Sequence, residues 1–180
     1  MEQIPFPNKK YQIIYADPPW SYRDKALADN RGASCKYQVQ EKEWLDNLAV
    51  SDIADKNCVL FLWVTMPKLN ECWELIEKWG FTYKTVAFTW VKRNKKSPGW
   101  FWGMGMWTRA NAELCLLATK GKPKRLDAGV HSVIDTPIEG HSKKPEETKN
   151  RIVRLMGDLP RIELFARQKT VGWDVWGNEV

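Results

Sequence analysis

The ten residues Tyr11–Trp20 read YQIIYADPPW, an apolar run that stops at an acidic residue and two prolines. A short run of this kind is typical of a buried β-strand. Proline ends it because proline lacks the N–H that a strand ladder needs. Ligands of α/β proteins bind at the carboxyl ends of strands. The sequence therefore predicts a strand over Tyr11–Ala16 and a functional site at Asp17, directly after it.

Strands and helices alternate along the rest of the chain. Apolar or alternating runs predict further strands over Cys58–Val64, Tyr83–Val91, Glu113–Thr119 and Arg161–Phe165. Helical spacing predicts helices over Glu41–Leu48, Pro67–Trp79 and Pro145–Met156. The alternation predicts an α/β protein with a mostly parallel central sheet flanked by helices.

The predicted helix over Pro67–Trp79 has a clear apolar side and a clear end. Gly80 is placed to end it. The apolar side is expected to consist of Leu69, Trp73, Leu75 and Ile76. Polar stretches predict loops over Ser21–Lys36, Lys92–Arg109 and Lys120–Gly129.

Length and composition favour one domain over residues 1–180. No apolar run is long enough to span a bilayer, and Met1–Lys10 lacks the apolar core of a secretory signal, so we expect a cytoplasmic protein. The four cysteines stand far apart and there are only two histidines, a pattern that favours buried thiols over a metal site. The cysteines are Cys35, Cys58, Cys72 and Cys115.

The Asp17-Pro18-Pro19-Trp20 motif suits activation of an aromatic amine. The lone pair of such an amine is delocalised into its ring, which makes the nitrogen a weak nucleophile. A carboxylate and a rigidly placed proline carbonyl, both accepting hydrogen bonds from the amine, would bias the nitrogen toward tetrahedral geometry. Trp20 offers a flat face to a base. The alternative interpretation is a proline-rich turn with a packed tryptophan.

The chain resembles the MT-A70 family of S-adenosylmethionine-dependent adenine N(6)-methyltransferases. Family members include the catalytic subunit of the eukaryotic messenger-RNA adenine methyltransferase, and phage and bacterial members that act on DNA. The resemblance implies a Rossmann-like methyltransferase fold, with S-adenosylmethionine as cofactor and nucleic acid as partner. The blocks that carry it, besides the motif at Asp17, are Leu60–Thr65, Asn111–Leu117, His141–Glu147, Arg161–Arg167 and Gly177-Asn178.

This resemblance assigns roles to individual residues. The catalytic motif is Asp17, Pro18, Pro19 and Trp20, in which Asp17 and Pro18 hold the amine and Trp20 flanks the base. Substrate contacts are expected from Tyr37, Asn111 and Glu113. Cofactor contacts are expected from Asp17, Ser142, Lys144, Phe165, Arg167, Asn178 and Glu179.

Two of these assignments have a simpler alternative. Glu113 could be a surface acid at a strand edge. Lys144 lies beside a predicted helix N-terminus, where a positive pocket would receive the carboxylate of the cofactor's methionine moiety. Its alternative is a solvated basic helix end.

A basic and aromatic surface is expected to hold the nucleic acid. The net charge is +6 and the chain has eleven tryptophans. Two basic clusters fall in predicted loops, and the first of them runs into aromatic residues that can stack on bases. The substrate contacts assigned here are Lys95, Lys96 and Trp102. The clusters are Lys92, Arg93, Lys95 and Lys96, then Lys120, Lys122, Lys124 and Arg125.

Several features of the function stay open at the level of sequence. No GxGxxG loop follows any strand, and Lys169-Thr170 stand where eukaryotic family members carry His-Asn. Methylation of adenine in DNA is favoured. Methylation of RNA adenine or of the cytosine amine, and a non-catalytic nucleic-acid-binding subunit, remain alternatives. The small size makes a homodimer or a partner subunit plausible.

Overall fold

The computed structural model describes residues 4–20, 42–105, 107–140 and 143–180. Within these ranges the chain forms one sheet of seven strands with three α-helices. The strands are β1 Tyr11–Ala16, β2 Ala54–Val64, β3 Thr82–Arg93, β4 Glu113–Lys120, β5 Val133–Pro137, β6 Arg161–Leu164 and β7 Asp174–Trp176. The helices are α1 Lys42–Asp46, α2 Leu69–Lys78 and α3 Glu146–Met156.

The strand order across the sheet is β5-β3-β4-β2-β1-β6-β7. Four of the six pairings are parallel, and only the pairings of β4 with β2 and β3 are antiparallel. The sheet is therefore mostly parallel and the α/β prediction is confirmed. Because β4 alone runs in the opposite direction, its amino end lies at the edge where the other six strands have their carboxyl ends.

Both faces of the central strands are covered, which explains their continuous apolar sequence. Ile14 and Leu60 point to a core that is shared with α1 and α2. Ile13 and Phe61 point to the opposite core, which contains the α3 residue Ile152. Three of the predicted thiols are buried as expected, namely Cys58, Cys72 and Cys115.

The structure corrects several predicted boundaries. β3 continues to Arg93 and β4 to Lys120, so Lys92 and Lys120 are strand residues and not loop residues. β2 begins at Ala54, four residues before the predicted start, and α2 follows a 3-10 turn over Met66–Lys68. Gly80 ends α2 with a φ of 81°, as predicted.

One further prediction was wrong in detail, and two strands were missed. Trp73 is 38% exposed and pairs with Tyr83 on the surface, while Cys72 takes the buried position on α2. β5 and β7 were not predicted, because β5 carries a single buried residue and β7 is three residues long. The predicted loop over 21–36 lies outside the described residues. In the part of the chain that is described, no helix has the length and apolarity needed to cross a bilayer.

Candidate active site

The common edge of the sheet brings Asp17 and Lys144 together although they are far apart in the chain. Asp17 directly follows β1, and Lys144 lies two residues before α3. The Lys144 ammonium donates a hydrogen bond to Asp17 Oδ2 at 2.7 Å, and the side chains are 12% and 26% exposed, respectively. The two residues that the resemblance assigned to catalysis and to the cofactor thus form one ion pair.

Glu113, the first residue of β4, joins this pair from the other side. Its Oε2 lies 3.2 Å from Lys144 Nζ, and its Oε1 is ion-paired with Lys92 of β3. Positive and negative groups therefore alternate along the sheet edge from Lys92 through Glu113 and Lys144 to Asp17. Glu113 is therefore a mostly buried member of an ion-pair network and not a surface acid, and its contact with a substrate stays a prediction.

Burial and neighbouring charges set the ionisation of these groups. Burial raises the pKa of Asp17, and the nearby Lys144 ammonium opposes this rise. Burial also raises the pKa of Glu113, but Lys144 and Lys92 outweigh burial and hold that pKa below its ordinary value. Burial lowers the pKa of Lys144, but Asp17 and Glu113 outweigh it and raise the pKa. Lys144 is therefore a cation shared by two carboxyl groups.

Aromatic side chains pack against the ion-paired residues. The indole N–H of Trp63 donates to the Tyr15 hydroxyl at 2.7 Å, and Lys144 Nζ lies 5.5 Å from the centre of a Trp63 ring. Trp20 donates its indole N–H to the Trp63 carbonyl at 3.0 Å and is only 7% exposed. Trp20 thus belongs mainly to the core, and its contact with a base stays a prediction.

Pro18 and Pro19 connect β1 to Trp20. Pro18 is buried, and its carbonyl accepts the backbone N–H of Trp20 at 2.8 Å. This bond uses one of the two lone pairs of the carbonyl oxygen, which leaves a second acceptor position. The role of Pro18 in holding an amine stays a prediction.

A cleft of about 190 Å³ opens beside Asp17, between the ends of β1 and β6 and the start of α3. It contains both cations and carboxylates. Its lining includes Tyr15, Asp17, Lys144, Glu163, Phe165 and Arg167. Phe165 has a φ of 61°, so the chain turns sharply after β6 before it reaches Arg167. The Phe165 ring packs on Trp44 and Trp176.

The Gly177-Asn178 block lies next to this turn. A Cβ atom at Gly177 would stand 2.6 Å from the Ala166 carbonyl oxygen, so no larger residue fits beside the β6 turn. The Ala166 N–H donates to the Trp176 carbonyl at 3.0 Å, which joins the two segments. Asn178 and Glu179 follow on the surface, and Glu179 Oε1 lies 3.7 Å from Arg167 Nε. The predicted cofactor residues Arg167 and Glu179 are therefore neighbours.

Asn111 has a structural function in this site. Its amide accepts the Lys92 N–H at 2.9 Å and donates to the Lys92 carbonyl at 2.9 Å and the Phe101 carbonyl at 2.5 Å. These bonds attach the loop after β3 to the sheet edge. Because both donors of the amide are already used, a substrate contact by Asn111 stays a prediction.

The loop after β3 presents the predicted basic and aromatic surface. Lys95 and Lys96 are exposed, and Trp102 is 61% exposed. Arg93 lies 5.0 Å from the ring centre of Trp100 and is ion-paired with Asp135 of β5. The loop starts at the same sheet edge as Asp17.

The second basic cluster lies away from the first. It begins at the carboxyl end of β4, the edge opposite to Asp17 and Glu113. β4 spans Glu113–Lys120, so Lys120 lies about 24 Å from the start of that strand. There Lys120 donates to the Ser51 carbonyl and the Lys122 N–H donates to Asn57.

Two predicted site residues, Tyr37 and Ser142, lie outside the described residues. Six cleft residues were not predicted as site residues from the sequence, namely Tyr15, Lys143, Glu146, Lys149, Glu163 and Gln168. A signal for Lys149 exists, because it shares the buried face of α3 with Ile152 and Met156 at positions i, i+3 and i+7. Among the residues with described positions, no group of three or more His, Cys, Asp or Glu side chains is arranged to hold a metal ion.

The chain is similar in sequence to known methyltransferases. The chain is 38% identical to the type II methyltransferase M.MunI of Mycoplasma sp. over 97% of its own length and 79% of that protein. It is 29% identical to the human N(6)-adenosine-methyltransferase catalytic subunit METTL3 over 95% of its own length and 28% of that protein. The MT-A70 family profile matches residues 11–179. The chain therefore belongs to the MT-A70 family of methyltransferases.

Proposed function

We propose that this protein transfers a methyl group from S-adenosylmethionine to the exocyclic N(6) amine of adenine in DNA. The observation that carries the proposal is the Asp17–Lys144 ion pair at the mouth of the cleft. The pair places a hydrogen-bond acceptor for an amine next to a cation, in a cleft that is lined by both basic and acidic side chains.

Asp17 has the task of orienting the amine. Its carboxylate accepts one N–H of the adenine amine, and the second lone pair of the Pro18 carbonyl accepts the other. These two bonds withdraw the nitrogen lone pair from the ring and direct it at the methyl group. Transfer would form the N–C bond as the methyl–sulfur bond of the sulfonium breaks and S-adenosylhomocysteine leaves. Asp17 would stabilise the positive charge on nitrogen until one N–H proton is lost to solvent water.

The cleft residues fit S-adenosylmethionine by charge. The cofactor supplies a methyl group that is already activated by a sulfonium. Lys144 is the cation that would receive its carboxylate, and Arg167 would contact its ribose. Asp17 and Glu163 are carboxylates that would receive its ammonium and hydroxyl donors. Tyr15 and Phe165 provide apolar walls. Lys144 therefore serves both the cofactor and Asp17.

DNA is the favoured substrate for two reasons. The chain matches most of the length of the type II methyltransferase M.MunI, and this similarity supports DNA as the substrate. The exposed Lys95, Lys96 and Trp102 lie on a loop that leaves the same edge as Asp17, where they can contact phosphates and an extruded base. A homodimer or a partner subunit stays a prediction.

RNA adenine is the second candidate, and the similarity to METTL3 over 95% of this chain supports it. The cytosine amine would use the same acceptors. A purely non-catalytic subunit is disfavoured because Asp17 and Lys144 form an intact pair in the cleft.

The test is single-turnover transfer of labelled methyl to matched DNA and RNA strands, single and double, followed by nucleoside mass spectrometry. We expect N(6)-methyladenine in DNA. Methylation of RNA alone would favour RNA adenine as the substrate, and N4-methylcytosine would favour the cytosine amine. No transfer to any strand, with cofactor bound, would contradict the enzymatic function.

A further inference from the structure

The side chain of Lys149 is buried, with 8% of its surface exposed. Its Nζ lies 2.6 Å from Glu163 Oε2 in β6 and donates to Thr170 Oγ1 at 2.7 Å. The ammonium also lies 5.9 Å from the centre of the Tyr15 ring. One side chain of α3 thus connects β1, β6 and the segment that follows Arg167.

Stability alone does not explain this arrangement. Lys149 occupies a position of the apolar stripe that it shares with Ile152 and Met156. Removing an ammonium and a carboxylate from water is costly, and apolar residues of similar size can replace a buried ion pair without loss of stability. The Lys149–Glu163 ion pair is therefore expected to serve the residues that surround it.

The surroundings are the cleft. Lys149 and Glu163 line it together with Asp17 and Arg167. Glu163 is the penultimate residue of β6, and Thr170 lies three residues after Arg167. Burial raises the pKa of Glu163, and the Lys149 ammonium opposes that rise. Lys149 consequently favours the ionised carboxylate and restrains the segment that carries Arg167.

We propose that Lys149 is a positioning residue of the cofactor cleft, which holds the Glu163 carboxylate and the Arg167–Thr170 segment in the arrangement that binds S-adenosylmethionine. The inference rests on the cofactor assigned under the proposed function. It concerns a side chain that acts through Glu163 and Thr170.

The first experiment measures S-adenosylhomocysteine binding to the full chain by calorimetry. Lys149→Met should weaken binding about tenfold or more, because a charge-assisted contact is lost. Thr170→Val keeps the side-chain shape and removes only the acceptor, so we expect about threefold weaker binding and an unchanged fold. Arg154→Met is the matched control. It breaks an α3 ion pair with Asp127 on the surface and should leave the affinity unchanged.

The second experiment separates positioning from stability. The double variant Lys149→Met/Glu163→Leu replaces the ion pair by apolar side chains and should melt close to the wild-type temperature. Its affinity for S-adenosylhomocysteine should stay at least tenfold reduced. Wild-type affinity in the double variant or in Thr170→Val would overturn the inference. Absence of binding by the wild-type protein would instead contradict the proposed cofactor.

Discussion

Asp17 and Lys144 work as a unit at the scale of single residues. Asp17 can hold an amine only as an ionised acceptor, and burial opposes its ionisation. Lys144 counteracts that effect at 2.7 Å and is itself held charged by Glu113. Any change at one member of this group therefore alters the others.

Asp17→Ala is expected to abolish most methyl transfer while the protein stays folded. The side chain lies at a strand end and contributes little to the core. Transfer should fall on the order of 100- to 1,000-fold, because an acceptor at the reacting nitrogen is lost. Asp17→Asn should be less severe, since an amide oxygen still accepts one hydrogen bond. Single-turnover transfer, with folding checked by circular dichroism, measures both, and near-normal transfer by folded Asp17→Ala would contradict the mechanism.

Lys144→Met is expected to change both affinity and pH dependence. S-adenosylhomocysteine should bind about tenfold more weakly. The pKa of Asp17 is already raised, and loss of the neighbouring cation raises it further. Because transfer needs ionised Asp17, the acidic limb of the rate profile should move to higher pH. A Lys95→Met control should leave that limb in place, and an unmoved limb in Lys144→Met would mean that Lys144 does not tune Asp17.

At the scale of elements, the site depends on how strand ends meet. The turn after β6 and the turn after β7 touch through Gly177, which brings Arg167 and Glu179 within 3.7 Å. β4 contributes Glu113 at the same edge because it runs antiparallel to its neighbours. The close approach of these segments is therefore a condition for the cleft.

Gly177→Ala tests this approach. The added Cβ would stand 2.6 Å from the Ala166 carbonyl oxygen and 2.9 Å from its nitrogen. Such overpacking costs about 1–3 kcal/mol, which lowers the melting temperature by roughly 2–12 °C in a chain of this size. S-adenosylhomocysteine binding should weaken as well. Gly140→Ala is the control, since its Cβ would meet only the Lys143 side chain at 3.9 Å. Equal melting temperatures for the two variants would refute the packing argument.

At the scale of the whole molecule, the two basic clusters lie at opposite edges of the sheet. Of these two clusters, the one on the loop after β3, with Lys95 and Lys96, leaves the edge that carries Asp17. Lys122 and Lys124 follow the far end of β4. The two clusters therefore differ in their distance from Asp17.

Two double variants with equal charge change distinguish these surfaces. Lys95→Ala/Lys96→Ala should weaken DNA binding and reduce the log–log salt slope by up to about 1.8, because two phosphate contacts are lost. Lys122→Ala/Lys124→Ala should leave both quantities close to wild type. Cofactor affinity should not change in either protein. Equal losses in the two variants would show that charge acts without regard to position.

The sequence by itself determined the features that depend on local pattern. Tyr11–Ala16 is the strand that was predicted. Its apolar run directly indicates a buried strand, and the prolines after it indicate where the strand ends. The apolar sequence of β2 and the spacing in α2 and α3 predicted their types for the same reason. The motifs around Asp17 and around Lys144 were identifiable because each motif is a contiguous stretch of the chain.

Only the tertiary structure decided which distant residues meet. β5 and β7 escaped prediction because strands with a single buried residue are stabilised by neighbouring strands and carry little pattern of their own. The direction of β4 separated the two basic clusters and placed Glu113 beside Lys144. The pairing of Lys149 with Glu163 followed in the same way. Strand order and direction arise from packing between segments that are remote in sequence. The local conformational preferences of residues do not specify which remote segments pack together.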